Sequence, residues 1–158
     1  MVTESILLIT NSPKEFEHLV FPTYSDVIPG SGPLGGIYTG LQKSITSHSL
    51  IIACDMPFIQ FHILESLINQ IDGYDIVIPV TPDGYHPLCA IYSKICLKPI
   101  ELLIKSGNLK VTNLFPYVKV NKADFSIYSE CELNAFFNIN TNEDYFLAIS
   151  LANKHNSA

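Results

Sequence analysis

The sequence is poor in positive charge. It holds 9 lysine and arginine residues against 15 aspartate and glutamate residues, which gives a formal net charge of -6. A protein that binds the phosphate backbone of a nucleic acid needs a positive electrostatic field on its surface, so we expect no DNA or RNA partner. An acidic protein can still bind a nucleotide when a divalent cation and backbone N–H groups take up the phosphate charge. Nucleotide chemistry therefore remains open.

Long apolar runs, a secretion signal and paired cysteine motifs are also lacking. The apolar run 49–54 stops at Asp55, well short of the roughly 20 residues that a membrane-spanning helix needs. The cysteines form no C-x-x-C pair, and we expect each to be a small buried hydrophobic residue. They are Cys54, Cys89, Cys96 and Cys131. These absences predict a reduced, cytoplasmic protein that does not bind membranes.

Short apolar runs alternate with helical patterns along the whole chain. A length of 158 residues is enough for one sizeable core, so we expect a single domain over residues 1–158. The alternation is typical of βαβ units in an α/β fold with a mostly parallel sheet. Its composition predicts that the strand Leu50–Ala53 is covered on both faces. A turn at Thr81–Gly84 should reverse the chain into the strand Leu88–Tyr92.

Helices are predicted where apolar residues recur at fourfold spacing. Buried helix faces should include Ile37, Leu41 and Ile45, then Ile63, Leu67 and Ile71. A further helix follows Pro99, and a closing helix should run from Glu143 to about Ala152 with Thr141 as its N-cap.

Asp55 directly follows the predicted strand Leu50–Ala53. A carboxylate at the carboxyl end of a central strand lies in the crevice where open α/β sheets bind ligands. Mg²⁺ prefers such hard oxygen ligands and lets substrate phosphates fill much of its remaining shell. The alternative is an aspartate that caps the next helix or begins a turn, and the residues alone leave the two interpretations equal.

A glycine-rich loop, Gly32–Gly36, opens the helix that carries Ile37. Glycines there let a ligand approach the backbone, and the helix N-terminus offers N–H donors to anionic oxygens. A tight turn is the alternative. Asp26 precedes this loop and could accept hydrogen bonds from a ribose hydroxyl or a base edge, or else be a solvated loop residue.

His86 sits beside the turn that begins at Thr81 and could donate to a phosphate or accept from a pterin ring. A packed histidine that bonds a backbone carbonyl is the alternative. Asn138 and Asn140 face the same way if their segment is extended, so they could form hydrogen bonds with a heterocyclic ligand. The alternative is that their side chains form hydrogen bonds within their own loop while Thr141 caps a helix. The other histidines, His18, His48, His62 and His155, lack metal-ligand spacing.

Taken in order, these segments resemble the molybdenum cofactor guanylyltransferase family. The resemblance runs from Ser5 to about Leu151, through Asp26, Gly32–Ile37, 53–58 with Asp55 at its centre, 86–88, and the F-N-I-N-T-x-E-D run at 137–144. It implies a Rossmann-like nucleotidyltransferase fold, a three-layer sandwich with a mostly parallel sheet. It also implies that GMP passes from GTP to molybdenum-bound molybdopterin, which forms the guanine dinucleotide cofactor and releases pyrophosphate.

The resemblance also assigns roles. It makes Asp55 the Mg²⁺ ligand and a GTP contact, and Asp26 a second nucleotide contact. Asn11 lies near a nucleotide-contacting asparagine of some members, although the closest alignment places Ile9 there, so we set Asn11 aside. Two further groups follow the motif. On the nucleotide side these are Gly32, Pro33, Leu34 and Gly35, and on the pterin side His86, Asn138, Asn140 and Thr141.

One family motif has no counterpart in residues 1–158. The signature L-A-G-G-x-S-x-R-M-G-x-D-K occupies the family's first strand and turn, whereas Ile6–Thr10 matches the family's second strand. The resemblance thus implies that the first β-loop-α unit is missing, on the order of 30 residues. Because Arg and Lys of that loop stabilise the transition state, we expect impaired transfer. A neighbouring strand left unpaired would favour a homodimer or aggregation.

Three functional hypotheses stay open. The first is a guanylyltransferase that uses Asp55 and Mg²⁺. The second is a non-catalytic molybdopterin-binding remnant or partner that passes the cofactor on, for instance to molybdoenzyme-maturation proteins. The third keeps the chemistry and changes the nucleotide, as in cytidylyl or sugar-1-phosphate transferases.

Overall fold

The computed structural model describes residues 5–155, apart from the side chains of Glu130, Cys131, Lys154 and His155. Within that range, strands and helices alternate as the sequence predicts. They are β1 (Leu8–Ile9), β2 (Thr23–Tyr24), α1 (Gly32–Lys43), β3 (His48–Ile52), α2 (Phe61–Ile68), β4 (Ile76–Thr81), β5 (Gly84–Tyr85), β6 (Cys89–Ser93), α3 (Leu97–Lys105), β7 (Val120–Asp124), α4 (Glu130–Leu133) and α5 (Asn142–His155). Short 3₁₀ helices occupy Pro13–Phe16, Lys94–Cys96, Val111–Tyr117 and Asn134–Phe136.

The main sheet has the order β3-β6-β4, with β7 on the other side of β4 and the short β5 paired to the end of β4. Strands β3, β4 and β7 share one direction, and β6 runs antiparallel between β3 and β4. The α/β class is confirmed, while the sheet is mixed. The reason is the turn after Thr81, which reverses the chain before β6 inserts between two strands of common direction.

Helices cover both faces of this sheet and make three layers. Because side chains alternate along a strand, Ile76 and Ile78 of β4 pack against α1 and α3, whereas Val77 packs against α2. Predicted helix-face residues Ile37, Leu41, Ile63 and Leu67 are buried. Ile45 is 89% exposed, so its predicted burial is wrong, because α1 ends at Lys43.

The cysteines behave in two ways. Cys89 and Cys96 are buried in the two cores, and burial raises the pKa of each thiol to about 12, with the nearby Asp75 adding to the effect at Cys96. Cys54 is exposed, so its predicted burial is wrong, because it lies in the turn beyond the end of β3. The side chain of Cys131 lies outside the described part.

β1 and β2 form a small parallel pair of their own, with Leu8 opposite Thr23 and Ile9 opposite Tyr24. The expected cover of the β3 strand on both faces is seen, but it is partial. Ile51 packs against one core, and Leu50 and Ala53 pack against the other. The first four residues of β3 are half-buried and Ile52 is 40% exposed.

Over the described range 5–155, no helix is both long and apolar enough to cross a bilayer.

Candidate functional site

Three chain segments bring the candidate residues to one end of the sheet. β2 leads through Asp26 to the start of α1 at Gly32, and α1 returns through a short loop into β3. β3 therefore runs against α1, and Asp55, which follows β3, comes back to the end where α1 begins. This is the edge at which open α/β sheets bind ligands.

Asp55 has a buried carboxylate oxygen, Oδ1, with no hydrogen-bond partner. Across residues 5–155 the one ion pair found joins Lys105 to Glu101 on α3, so no described cation neutralises Asp55. A buried, unpaired carboxylate oxygen is costly unless a cation or donor meets it. Of the alternatives for Asp55, the helix cap is wrong, because the N-cap of α2 is Gln60, whereas Asp55 does lie in a turn at residues 54–55. Asp55 therefore fits the chemistry of a hard-cation ligand.

The loop that carries Asn138 and Asn140 lies against Asp55. The N–H of Ile139 donates to the backbone carbonyl of Asp55 at 2.9 Å. Asn138 and Asn140 flank this anchored residue, and both are exposed. The structure thus brings together two segments that the sequence singled out separately.

Thr141 caps α5, as predicted. Its Oγ1 accepts from the N–H of Asp144 at 3.1 Å, while Asp144 Oδ2 accepts from the N–H groups of Asn140 and Thr141 at 3.0 and 2.9 Å. Hydrogen bonds from Asn140, which has the largest effect, and from Thr141 lower the pKa of the Asp144 carboxyl. This reciprocal cap fixes the backbone of Asn140, and it uses the Thr141 hydroxyl within the fold.

His86 lies on the turn after β5 and stacks on Phe136, with ring centroids 4.5 Å apart. Its Nε2 shares a hydrogen bond of 2.8 Å with Thr81 Oγ1, so its partner is a hydroxyl and not the backbone carbonyl of the packed alternative. Burial lowers the pKa of the imidazole, and the opposing effect of Asp83 is smaller. Phe136 precedes Phe137 and Asn138, so this stack places His86 beside the loop that contacts Asp55.

Asp26 pairs with Asn11, the residue that the sequence analysis set aside. Asn11 Nδ2 donates to Asp26 Oδ2 at 3.0 Å, and the N–H of Asp26 donates to Asn11 Oδ1 at 3.3 Å. Asn11 follows the end of β1, and a polar residue at the end of a strand is the same signal that identified Asp55. The criterion that identified Asp55 after β3, applied also to the first predicted strand, identifies Asn11.

The loop predicted at Gly32–Gly36 is wrong, because these residues form the first turn of α1, which packs against Asp26. A Cβ on Gly35 would lie 2.9 Å from Ser31 Cβ and 3.7 Å from Asp26 Cγ, so this site excludes a side chain. Gly32 has φ 55°, a left-handed conformation that favours glycine. Pro33 lies in the first turn of α1 and is exposed.

Leu34 differs from the other predicted nucleotide contacts. Its side chain is buried in the core against β4 and β6, because it lies on the inner face of α1. Only its backbone is available to a ligand, so its predicted contact with a nucleotide is restricted to main-chain atoms.

The described residues form no group of three or more His, Cys, Asp or Glu side chains that could hold a metal. A cation at Asp55 would therefore meet at most two such side chains and would rely on phosphate and water oxygens, which is the usual pattern for Mg²⁺ with nucleotides.

Comparison with known proteins agrees with this arrangement. A family described as the MobA-like NTP transferase domain matches residues 1–115. A probable molybdenum cofactor guanylyltransferase of Clostridium perfringens is 36% identical over 154 residues, which are 90% of this chain and 74% of that protein. A molybdenum cofactor guanylyltransferase of Desulfosudis oleivorans is 30% identical over 151 residues, 90% of this chain and 72% of that protein.

A solved structure is also similar. Molybdopterin-guanine dinucleotide biosynthesis protein A from Archaeoglobus fulgidus superimposes with a TM-score of 0.78 at 26% identity, covering 94% of this chain and 78% of that one. The nucleotidyltransferase fold implied by the resemblance is therefore confirmed. The chain belongs to the MobA-like NTP transferase family of nucleotidyltransferases, whose curated members here are molybdenum cofactor guanylyltransferases.

Proposed function

We propose that this chain acts in the transfer of GMP from GTP to molybdenum-bound molybdopterin, with Asp55 as the protein ligand of an Mg²⁺ ion. The observation that carries the proposal is the buried Asp55 Oδ1, which has no hydrogen-bond partner and lies at the carboxyl end of β3. The names of the curated relatives support GTP and molybdopterin as the two substrates.

In this reaction a phosphate oxygen of the pterin cofactor forms a bond to the α-phosphorus of GTP. The bond from that phosphorus to the bridging oxygen breaks, and pyrophosphate leaves with the electron pair. When bound, Mg²⁺ would screen the charge of the two phosphate groups. The protein's own contribution is to align the reacting atoms, since little covalent work falls to it.

We assign the nucleotide to the side of Asp26 and the pterin to the side of Asn138. Asn11 holds one Asp26 oxygen, which leaves Oδ1 directed at Gly36, 4.0 Å from the position of a Cβ there. That carboxylate is placed to accept from ribose or base groups beside the start of α1. His86, Asn138 and Asn140 offer donors and acceptors for a pterin on the other side of Asp55.

Residues 1–158 contain no arginine and no match to the signature L-A-G-G-x-S-x-R-M-G-x-D-K. Losing one preorganised donor of this kind costs about 10²–10³ in rate. We therefore propose that these residues, assayed by themselves, transfer GMP slowly.

The test is pyrophosphate release from GTP and molybdopterin with Mg²⁺. Asp55→Ala should abolish the release, whereas Asp72→Asn, which changes an exposed aspartate in the turn after α2, should leave it unchanged. Equal release by Asp55→Ala and the unmodified chain would refute the assignment. Competition of GTP with CTP under the same conditions decides the nucleotide.

The second candidate is a cofactor carrier that binds molybdopterin and passes it to a maturation protein. It is favoured by one observation, the loop at Asn138, which Ile139 and the α5 cap hold in place through hydrogen bonds within the protein. Calorimetry separates the two candidates. Affinity for molybdopterin without affinity for Mg²⁺-GTP supports the carrier, and tight GTP binding argues against it.

A further inference from the structure

The imidazole ring of His86 is held on two sides by the protein. Its Nε2 shares a hydrogen bond of 2.8 Å with Thr81 Oγ1 at the end of β4. Its face stacks on Phe136, with ring centroids 4.5 Å apart and the two planes inclined by 30°. Phe136 is itself buried and meets the buried Phe125 edge to face at 5.4 Å. The ring therefore has a fixed plane and one edge fixed on Thr81.

Backbone hydrogen bonds also fix the turn that carries His86. The N–H of His86 donates to the carbonyl of Pro79 at 3.1 Å, and the carbonyl of His86 accepts from the N–H of Cys89 at 3.1 Å. The hydroxyl of the buried Tyr92 donates to the carbonyl of Pro87 at 2.7 Å. The main chain thus sets where the imidazole stands on the sheet, and Thr81 and Phe136 set how it is turned.

The second ring nitrogen of His86, Nδ1, is open to a ligand. Over residues 5–155, the buried side-chain oxygens and nitrogens without a hydrogen-bond partner are Ser49 Oγ and Asp55 Oδ1. Nδ1 is not one of them, and the hydrogen bond found on this ring is that of Nε2, so Nδ1 contacts solvent. Because the two ring nitrogens point in different directions, Nδ1 is directed away from Thr81.

Thr81 decides which ring nitrogen carries the proton. Its Oγ1 already accepts a hydrogen bond from the N–H of Asp83 at 3.3 Å. Thr81 is only 6% exposed, so its single hydroxyl hydrogen needs an acceptor inside the fold. Among the described residues the acceptor in reach is His86 Nε2. The hydroxyl therefore donates to Nε2, and the neutral imidazole carries its proton on Nδ1.

The surroundings of His86 favour a neutral ligand atom over an anion. Burial disfavours the charged imidazolium and lowers the pKa of His86, and the negative charge of Asp83 is near enough to act on the ring. Phosphate oxygens are bound best by cations or by several N–H groups together. A single neutral N–H beside a carboxylate is therefore a poor phosphate site, and it suits a carbonyl oxygen or ring nitrogen of a heterocycle.

We propose that Thr81 is a positioning residue that makes His86 a neutral N–H donor, through Nδ1, to a carbonyl oxygen or ring nitrogen of a heterocyclic substrate. The stack on Phe136 places this donor beside the loop of Asn138 and Asn140. Naming the heterocycle as the pterin rests on the proposed function. Guanine carries the same kind of carbonyl and amino edge, so the experiment has to separate the two sources.

This role excludes one of the two that the sequence leaves open for His86. A ring protonated on Nε2 would present a lone pair at Nδ1 and would accept from an N–H of the substrate. With Thr81 donating to Nε2, a substrate N–H at that place would instead meet the Nδ1–H group. Thr81 therefore selects the orientation of the heterocycle in which an acceptor atom is turned to His86, without touching the substrate itself.

The tautomer is tested first, by NMR of the neutral imidazole in a chain with isotope-labelled nitrogen. The expected spectrum has a protonated Nδ1 and an unprotonated Nε2. Thr81→Ser keeps the hydroxyl and should give the same spectrum. Thr81→Val keeps the shape of the side chain without the hydroxyl, so the proton should move at least partly to Nε2. A proton on Nε2 in the unmodified chain would overturn the proposal.

Three ligands then show what His86 meets. Molybdopterin should shift the Nδ1 resonance, whereas GTP and inorganic phosphate should not. A shift with GTP in place of molybdopterin supports the donor role and overturns the assignment of the pterin to this side, so a failure of the proposed function is seen separately. A shift with inorganic phosphate identifies an anion site and overturns the proposal, as does a resonance that responds to none of the three.

Two His86 variants separate donation to the substrate from attachment to Thr81. His86→Asn places an amide N–H near the position of Nδ1 and cannot reach Thr81, whereas His86→Gln places its amide near Nε2 and lacks the Nδ1 donor. Calorimetry uses the heterocyclic ligand that shifts Nδ1. His86→Gln and Thr81→Val should each bind it about tenfold more weakly, as expected for one lost hydrogen bond.

His86→Asn should bind that ligand more tightly than His86→Gln, and Thr81→Ser should restore the affinity lost in Thr81→Val. Thermal unfolding checks that all four variants are folded. If His86→Gln binds the ligand as tightly as the unmodified chain, the contact with Thr81 is purely structural and the proposal is overturned.

Discussion

The backbone carbonyl of Asp55 accepts a hydrogen bond from the N–H of Ile139 at 2.9 Å. This contact ties the candidate metal ligand to the loop that carries Asn138 and Asn140. It joins the two parts of the candidate site to which we assign the cation and the pterin. Geometry at Asp55 and geometry at the loop should therefore change together.

Ile139→Pro removes this donor. The free energy of unfolding should fall by about 1 kcal/mol, and molybdopterin affinity should fall with it because the loop loses its anchor. Ile139→Ala is the control, since it keeps the N–H group and shortens only the side chain. Calorimetry of pterin binding and chemical denaturation of both variants measure the two effects. Equal affinity losses for the two variants would contradict a role for the hydrogen bond.

Asp55→Asn should stabilise the chain in the absence of divalent cations. A buried carboxylate oxygen without a partner is destabilising, by about 1–3 kcal/mol, and a neutral amide relieves part of that cost. In contrast, Mg²⁺ should raise the melting temperature of the unmodified chain and not that of Asp55→Asn. Thermal unfolding with and without Mg²⁺ tests this, with Asp72→Asn as the exposed control. An equal Mg²⁺ response in both aspartate variants would show that the ion binds elsewhere.

The sequence predicted the parts of the site that depend on local pattern. The apolar run before Asp55 placed that residue at a strand end, and fourfold spacing placed Ile37 and Leu41 on the buried face of α1. Thr141 was recognisable as a cap, because a capping sequence involves only neighbouring residues.

Long-range pairing could not be predicted in the same way. Nothing near Ile139 in the sequence indicates that its N–H meets Asp55, since the partners are joined only by the fold. The same holds for β3. The apolar sequence around Ile52 predicts full burial, yet Ile52 is 40% exposed in a strand that pairs with β6 on one edge. The position of β6 between β3 and β4 also depends on pairing choices that periodicity does not encode.

His86 should titrate below the usual histidine value, because burial disfavours its charged form. The unfolded chain then binds a proton that the folded chain resists, so the free energy of unfolding should fall as the pH drops below about 6.5. His86→Gln should flatten that part of the curve. NMR titration of the imidazole and denaturation at several pH values check it. A folded-state pKa above the normal histidine value would contradict the burial argument.

Asp144 should give a separate effect at lower pH. Hydrogen bonds from Asn140 and Thr141 lower the pKa of its carboxyl, so the folded state favours the charged form. Its contribution to stability is complete above the normal aspartate pKa of about 3.9 and disappears as the pH falls through the lower folded value. Asp144→Asn should reduce acid sensitivity in that window, and Thr141→Ala should cost about 1 kcal/mol at neutral pH through loss of the cap. The helix content of α5 and chemical denaturation, each measured at neutral pH and below the normal aspartate pKa, test these changes.

Gly35 and Gly36 offer a matched pair within one turn of α1. A Cβ on Gly35 would approach Ser31 Cβ to 2.9 Å and the carbonyl oxygen of Ile28 to 3.3 Å, whereas a Cβ on Gly36 meets only Asp26 Oδ1 at 4.0 Å. Gly35→Ala should therefore destabilise the fold by about 1–3 kcal/mol, as overpacking does. Gly36→Ala should be neutral or stabilising by up to about 1 kcal/mol, because alanine favours helix.

Chemical denaturation of both alanine variants measures the difference, and the packing of Asp26 gives it a second consequence. Because the Asp26 carboxylate rests against Gly35 as well as Asn11, Gly35→Ala should shift Asp26 and weaken nucleotide binding beyond the loss of stability. Asn11→Ala provides the comparison, since it frees the same carboxylate without crowding α1. If Gly35→Ala and Gly36→Ala have the same stability, the close approach of α1 to Asp26 and Ser31 is not rigid enough to exclude a methyl group.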